Sequence, residues 1–406
     1  MAFHSRSSDI LFPMKVSLIS LNLNGAHFIG AFLDSVRIEL DSVPDSELIL
    51  LDNGSTDNSV GFILNKYPWI KLIQSSRNLG FAGGTHLAAS QSKADYLIFL
   101  NNDMSLEPGF VDEILAPFEI DKDIGAAAGL ILDENGTRID YAGGDINLFG
   151  WGFQRFHNEP ASVADELEMK ELYPRQFFPC GGAVAMRRET WEKSGGFDPD
   201  YFAFFEDVDL GWRLNLMGLK TALAPRARVK HKHHGTAMSM PQSLRSYLLE
   251  RNSLFSAIKN FDDTSLGKIL PWAVAMAIER GLIEDCVESK DIFRGRWADD
   301  IWYFSDKDSK SAILGEIRDL REGVKRSAKK IIKRDSSTFN VPIRQLAIEE
   351  IFLRWEILMK KREEVQKLRK VSDKDIIAMM GEPYRTVTGH QREKDLMEKF
   401  RNNVQV

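Results

Sequence analysis

Three polar clusters in this 406-residue chain have the residue types and spacing to do chemistry. The first is Asn101-Asn102-Asp103, which closes the apolar run YLIFL at residues 96–100. A carboxylate at the end of a strand can hold a divalent cation that bridges to phosphate oxygens, though the same tripeptide is also ordinary turn chemistry. Asp52 and Asp57, in DNGSTD after the apolar run ELILL, have two comparable readings: acceptors for a nucleobase or ribose, or caps of a turn. The second cluster is FDPDYFAFFEDVDL, residues 197–210. Glu206 or Asp207 could simply cap a helix, because the helix dipole favours negative charge at its start. Phe202, Phe204 and Phe205 could instead wall a dry pocket in which a carboxylate serves as general base. The third is His231-Lys232-His233-His234, three of the eight histidines within four residues. On a strand His231 and His233 share a face, which is a metal-ligand spacing; a solvated loop is the other reading.

The elements that must position these clusters follow from periodicity. Apolar runs at 15–21, 47–51, 69–73 and 96–100 alternate with helical patterns at 27–40, 58–66 and 84–92. Fully apolar strands alternating with helices predict an α/β fold, a mostly parallel sheet covered by helices on both faces. Ligands of such sheets sit at the carboxyl ends of the strands, where DNGSTD and Asn101-Asn102-Asp103 fall. From 125 to 188 short strands with glycine turns predict a smaller mixed sheet. A helix at 206–217 and strands at 221–223 and 228–231 follow, and from 242 onward helical periodicity dominates.

Composition sets further bounds. Residues 1–241 hold 21 basic against 32 acidic side chains, and residues 242–406 hold 32 against 27, for a net charge of −6. The acidic balance speaks against nucleic acid as a partner. Two cysteines far apart, Cys180 and Cys286, exclude a disulfide framework and fit a reducing compartment. The N-terminal segment does not read as a signal peptide, and the longest apolar run, 269–278, is too short to span a bilayer. The expected location is cytoplasmic, or peripheral at the inner face of the plasma membrane.

Seven segments in order, LISLNLNG, LLDNGSTDNS, SSRNLGFAGG, DYLIFLNNDMSLEPGF, PCGGAVAMRRETWEKSGGFDPDYFAFFEDVDLGWRLNLMG, APRARVKHKHHGTA and YLLERNSLF, resemble glycosyltransferase family 2. These are inverting nucleotide-sugar transferases of GT-A fold, and the nearest look is to the rhamnosyl- and galactofuranosyltransferase-like branch that builds bacterial surface polysaccharides. The resemblance spans about residues 14–260 and implies a catalytic domain there, with residues 261–406 a helical region. It implies that Asp52 reads the nucleoside, with Arg77, Asn78 and Gly80 in the loop packed against it. Asn101-Asn102-Asp103 takes the place of the DxD motif, Asp103 being the metal ligand, with Asn101 where the strict motif has Asp. Gly181 and Gly182 match the acceptor cleft, Asp207 the catalytic base with Glu206 beside it, and His231 the histidine that completes the metal site, with His233 a second candidate. Arg251, in the RN pair, is implied to approach the diphosphate. The implied cofactor is Mg²⁺ or Mn²⁺, the donor a nucleoside-diphosphate sugar, and the acceptor a glycan or lipid-linked glycan.

Two other readings compete. A sugar nucleotidyltransferase would need a glycine-rich phosphate loop after the first strand, which LISLNLNG lacks. A non-catalytic nucleotide-binding scaffold would have no use for Asp103, Asp207 and His231 together. Beyond the core, residues 313–334 read as a basic amphipathic helix, suited either to an anionic membrane surface or to packing on the catalytic domain. Residues 343–370 read as a further long helix, for a bundle or self-association.

Overall fold

The structure, a computed structural model, describes residues 16–232, 240–283, 287–288, 340–341 and 343–404. The chain begins with alternating strands and helices: β1 (Val16–Asn22), α1 (Ile29–Ser42), β2 (Ser46–Asp52), α2 (Ser59–Lys66), β3 (Lys71–Gln74), α3 (Gly80–Ser90) and β4 (Tyr96–Asn101). Next come β5 (Met104–Leu106), α4 (Phe110–Ile120), β6 (Ile124–Asp133), β7 (Ile139–Tyr141), β8 (Gly144–Ile146), β9 (Gly152–Gln154), α5 (Ser162–Lys170) and β10 (Arg175–Gln176). The core ends with β11 (Ala183–Arg187), α6 (Arg188–Ser194), α7 (Glu206–Leu216) and β12 (Lys220–His231). Helices α8 (Gln242–Asn260) and α9 (Asp263–Ile283), the short strands β13 (Val287–Glu288) and β14 (Asn340–Val341), and helices α10 (Ile343–Leu353), α11 (Trp355–Leu368), α12 (Asp373–Ala378) and α13 (Gln391–Asn403) follow.

The main sheet runs β10-β12-β6-β11-β4-β1-β2-β3, with β5 on β12 and β7 on β6. Alternate residues of each strand enter opposite cores, as strand geometry requires. Leu18, Leu50 and Ile98 pack on one face with Phe32, Leu33 and Val36 of α1. Ile19, Ile49 and Phe99 pack on the other with Ala82 and Ala88 of α3 and Leu210 of α7. Each of these fully buried leucines and isoleucines contributes about 2 kcal/mol.

Most of the segment expected as a smaller mixed sheet joins this large one. Strand β11 inserts antiparallel between β4 and β6, pairing Ala183 with Leu100 and Val184 with Ala128. Its residues are buried on both sides, so they read as apolar without revealing strand direction. Only the β8–β9 hairpin forms a separate two-stranded sheet in this part of the chain. The strands expected at 221–223 and 228–231 are one strand, β12, with a register shift between Ala224 and Arg228 where Pro225 interrupts the ladder.

The helices after residue 260 share the core of the residues before it. Trp272 and Phe149 both meet Phe400 of α13, at 5.6 and 5.2 Å between ring centres. Buried ion pairs stitch the same layers: Arg280 to Glu250 at 2.6 Å and to Glu393 at 2.9 Å, with Arg344 also on Glu250. The expected division at 261 therefore marks a change of sequence pattern inside a continuous packing unit. The long helix expected at 343–370 is broken at Arg354 into α10 and α11. The basic segment 313–334 lies outside the described residues, as do His233 and His234.

Candidate active site

The strand ends and the turn before β11 surround a cavity of about 560 Å³. One end is built on β4 and β12. Asn101, Asn102 and Asp103 follow the buried β4 run, and Asp103 is brought to His231 because β12 pairs with β5 beside it. His231 Nε2 lies 3.2 Å from Asp103 Oδ2, and its Nδ1 lies 2.7 Å from Asp140 Oδ2. Burial alone would lower the imidazole pKa, but the hydrogen bonds and charges of Asp103 and Asp140 outweigh it and lift the ring to about 9.

The second oxygen of Asp103 is buried and has no hydrogen-bond partner among the described residues. A dry, unpaired carboxylate oxygen beside an imidazole nitrogen is a donor set that suits a divalent cation. No cluster of three or more His, Cys, Asp or Glu residues surrounds one point among the described residues. A cation here would thus have two protein ligands, Asp103 and His231, and take the rest from phosphate and water, as Mg²⁺-type sites commonly do. Asp140 would stand behind His231 and fix its orientation.

The other end of the cavity is the start of α7. Asp207 accepts from the backbone N–H of Gly181 at 3.0 Å and of Val208 at 2.8 Å. Burial raises its carboxyl to about 6, against the lowering effect of those two bonds. Glu206 is buried as well, and its Oε2 has no partner among the described residues. Desolvation first, and then the charge of Asp207, push it well above the usual carboxylate range.

Gly181 and Gly182 join the two ends. The carbonyl of Gly182 accepts from the N–H of Asn101, and the N–H of Gly181 donates to Asp207. Any side chain at Gly182 would fall 2.8 Å from the Asn101 amide, so backbone has to approach there bare. Phe81, Phe153, Phe178, Phe202, Phe204 and Phe205 supply apolar wall. Burial and the neighbouring Asp207 push the Cys180 thiol up, so it is no nucleophile.

The nucleoside-side residues divide. Asn78 and Gly80 line the cavity, whereas Asp52 and Arg77 do not. Asp52 is turned into the β1–β2 corner, accepting from Asn22 Nδ2 at 2.8 Å and Ser55 N at 3.1 Å. Its neighbour Asn53 lines the cavity instead, and pins the facing loop by donating to Asn78 Oδ1 at 3.0 Å and Gly80 O at 3.1 Å. Asp57 accepts from Ser59 N at 3.0 Å and Ala26 N at 3.1 Å, in keeping with its capping reading.

Arg251 is a correction. It is buried outside the cavity, its guanidinium donating to the carbonyls of Asp200 and Tyr201 at 3.0 and 2.9 Å and facing Glu350 at 3.4 Å. With those donors committed to main chain it does not reach toward a diphosphate in the cavity. Its neighbour Asn252 donates from Nδ2 to the carbonyls of Tyr201, Ala203 and Phe204, at 3.0, 2.9 and 2.7 Å. Together they hold a loop in which Phe202, Phe204 and Phe205 all have positive φ, at 62°, 68° and 62°. The sequence assigned no role to Asn53 or Asp140, and it named Asn252 only as the partner of Arg251. Asn252 stood in the recognised RN pair; Asp140, on a three-residue strand 91 positions from His231, left no local signal.

The sequence model described as Glycosyl transferase family 2 matches residues 17–195. An N-acetylglucosaminyl-diphospho-decaprenol L-rhamnosyltransferase of Mycobacterium tuberculosis is 28% identical over 218 residues, covering 49% of this chain and 71% of the relative. The O-antigen chain rhamnosyltransferase WbaN of Salmonella anatum is 27% identical over 194 residues, covering 47% and 58%. Among solved structures, GalNAc-T7 with UDP, GalNAc and Mn²⁺ superposes with a TM-score of 0.51 at 18% identity, covering 64% of this chain and 51% of that one. The matched segment carries β1 to β4, Asp103 and the Gly181–Gly182 turn, so residues 17–195 are similar to glycosyltransferase family 2, and the chain has a GT-A fold.

Proposed function

We propose that the chain transfers a sugar from a nucleoside-diphosphate donor to a hydroxyl of a growing glycan or lipid-linked glycan, with inversion, in surface polysaccharide synthesis. The rhamnosyltransferases among its relatives support a rhamnose-like donor sugar. The observation that carries the reading is a single cavity lined by Asp103, His231 and Asp207. Asp103 and His231 would hold a divalent cation, Mg²⁺ or Mn²⁺, which when bound supplies positive charge to the departing diphosphate.

The chain's own groups do the rest. Asp207, held in orientation by the N–H groups of Gly181 and Val208, takes the proton of the acceptor hydroxyl. The acceptor oxygen then forms its bond to the anomeric carbon as the carbon–oxygen bond to the diphosphate breaks, and the diphosphate leaves with the electron pair. The aromatic wall keeps water from competing with the acceptor. Asn53, Asn78 and Gly80 form the surface on which the nucleoside would rest, and Gly181 and Gly182 leave room for the acceptor.

Among the described residues no helix is long and apolar enough to cross a membrane. Work at the cytoplasmic face on a lipid-linked acceptor is consistent with that, and would need only peripheral contact. The test is a donor-hydrolysis screen with UDP-, dTDP- and GDP-sugars, repeated with Asp207→Asn. Turnover of one donor that the variant abolishes supports the reading; transfer that survives in the variant removes Asp207 as the base.

A further inference from the structure

We propose that Glu206 works as a neutral carboxylic acid whose Oε2 stays buried as the carbonyl oxygen and whose other oxygen carries the proton and donates a hydrogen bond to an oxygen of the sugar substrate, next to the hydroxyl that Asp207 deprotonates. This rests on the reading of Asp207 as base and assigns the adjacent carboxyl a separate role.

The geometry comes first. Glu206 is 6% exposed, lines the cavity, and leaves Oε2 buried without a partner among the described residues. Asp207, by contrast, has a backbone N–H on each oxygen. Two adjacent carboxyls in a dry cavity cannot both ionise cheaply, and the one with donors takes the charge. A buried carboxyl lacking donors is stable only if it stays protonated or finds a ligand group. Protonated, it has one O–H to give, and a cavity that holds sugars offers hydroxyl and ring oxygens to receive it.

The surroundings push the same way. The groups that face the pair are the Cys180 thiol and the Tyr141 hydroxyl, both held neutral by burial, with Asp140 and Arg155 beyond them. Cys180 feels the negative charge of Asp207, Asp140 and Glu206, so ionising Glu206 would add an unpaired anion to this end of the cavity. The proposed cation ligands Asp103 and His231 line the same cavity and have their own partners in each other and in Asp140. Glu206 and Asp207 therefore sit differently: the Asp207 carboxyl is raised to about 6, and burial followed by the charge of Asp207 pushes Glu206 well above the ordinary carboxylate range.

The experiment compares Glu206→Gln, Glu206→Ala and Asp207→Asn in the full chain, over pH, with the donor found in the screen. Glutamine keeps a hydrogen-bond donor and no charge, so kcat/KM of Glu206→Gln stays within about threefold of wild type, while Glu206→Ala loses about tenfold. The acid limb of the profile stays near pH 6 in Glu206→Gln, because it belongs to Asp207. A Glu206→Gln variant that melts like wild type yet is as inactive as Asp207→Asn overturns the proposal, since Glu206 would then be needed as an anion. Turnover that survives in Asp207→Asn overturns the base assignment instead. Infrared spectra of wild type at about pH 8 decide the matter even if the Gln variant fails to fold. There Asp207 is ionised and Glu350, raised to about 7 by burial, is largely so. A protonated-carboxyl absorption that persists in wild type and is lost in Glu206→Ala belongs to Glu206, and its absence from wild type refutes the neutral acid.

Discussion

Asn252→Ala tests whether the loop before Glu206 and Asp207 is held from behind. The side chain donates to three carbonyls, those of Tyr201, Ala203 and Phe204, with only two hydrogens to give. Two net hydrogen bonds at about 1 kcal/mol each, and about 1 kcal/mol more for carbonyls left dry, put the clamp near 3 kcal/mol. Against it stand Phe202, Phe204 and Phe205 at positive φ, each costing about 1 kcal/mol, so strain and clamp are of similar size. Arg251 still holds the carbonyls of Asp200 and Tyr201 in the variant, so the half of the loop nearest Glu206 is the part released. Urea unfolding should show a loss of about 3 kcal/mol, and kcat should fall by tenfold or more at about a 1 Å misplacement of the base. A variant whose unfolding free energy lies within about 0.5 kcal/mol of wild type, with unchanged kcat, would refute the clamp.

Three further outcomes are expected. Asp207→Asn should lower transfer by about 10²–10⁴-fold while leaving nucleotide binding in place, checked by kinetics and calorimetry on the same protein. A carboxylate base works as the anion and the Asp207 carboxyl is raised to about 6, so on the proposed reading kcat/KM should fall as pH drops through about 6 and level off above it; a flat profile from pH 5 to 8 would exclude it as the base. Asp140→Asn should weaken binding of Mn²⁺ alone by about 10–100-fold, read by titration without donor or acceptor, because His231 loses the carboxylate on its Nδ1. Gly80→Ala should lower stability by about 2–4 kcal/mol, since its Cβ would lie 2.4 Å from the Phe202 carbonyl at a φ of 72°; an unshifted melting curve would count against that packing.

Much of the parallel half of the sheet was legible because its strands are uninterrupted apolar runs that end in polar clusters. Leu18 and Ile19 enter different cores, yet both had to be apolar, so strand position and burial came through together. Direction did not. Nothing in AVAMR at 183–187 distinguishes an antiparallel insertion between β4 and β6 from one more parallel strand. The same blindness hid which of Asp52 and Asn53 lines the cavity. Neighbours at a strand end face opposite ways, and only the Asn22 and Ser55 donors determine that Asp52 turns inward. Arg251 shows the limit of motif matching: a motif carries residue type, but a guanidinium can serve carbonyl oxygens as well as phosphates. The Asp103–His231–Asp140 line needed β5, β12, β6 and β7 laid side by side, and only its first two members lay in motifs.

The clamp made by Arg251 and Asn252 has a consequence for how this enzyme could change its acceptor. It grips main-chain oxygens of residues 200–204 and, for Asn252, no side chain of that loop. The aromatic groups that project from the loop into the cavity are thus free to be exchanged while the loop keeps its path. Substitution at Phe204 can reshape the wall while Phe205, packed on Trp151 at 5.4 Å, keeps its place, provided the newcomer is not β-branched and tolerates positive φ. Recognition and chemistry are separable in this loop, one written in side chains and the other in backbone.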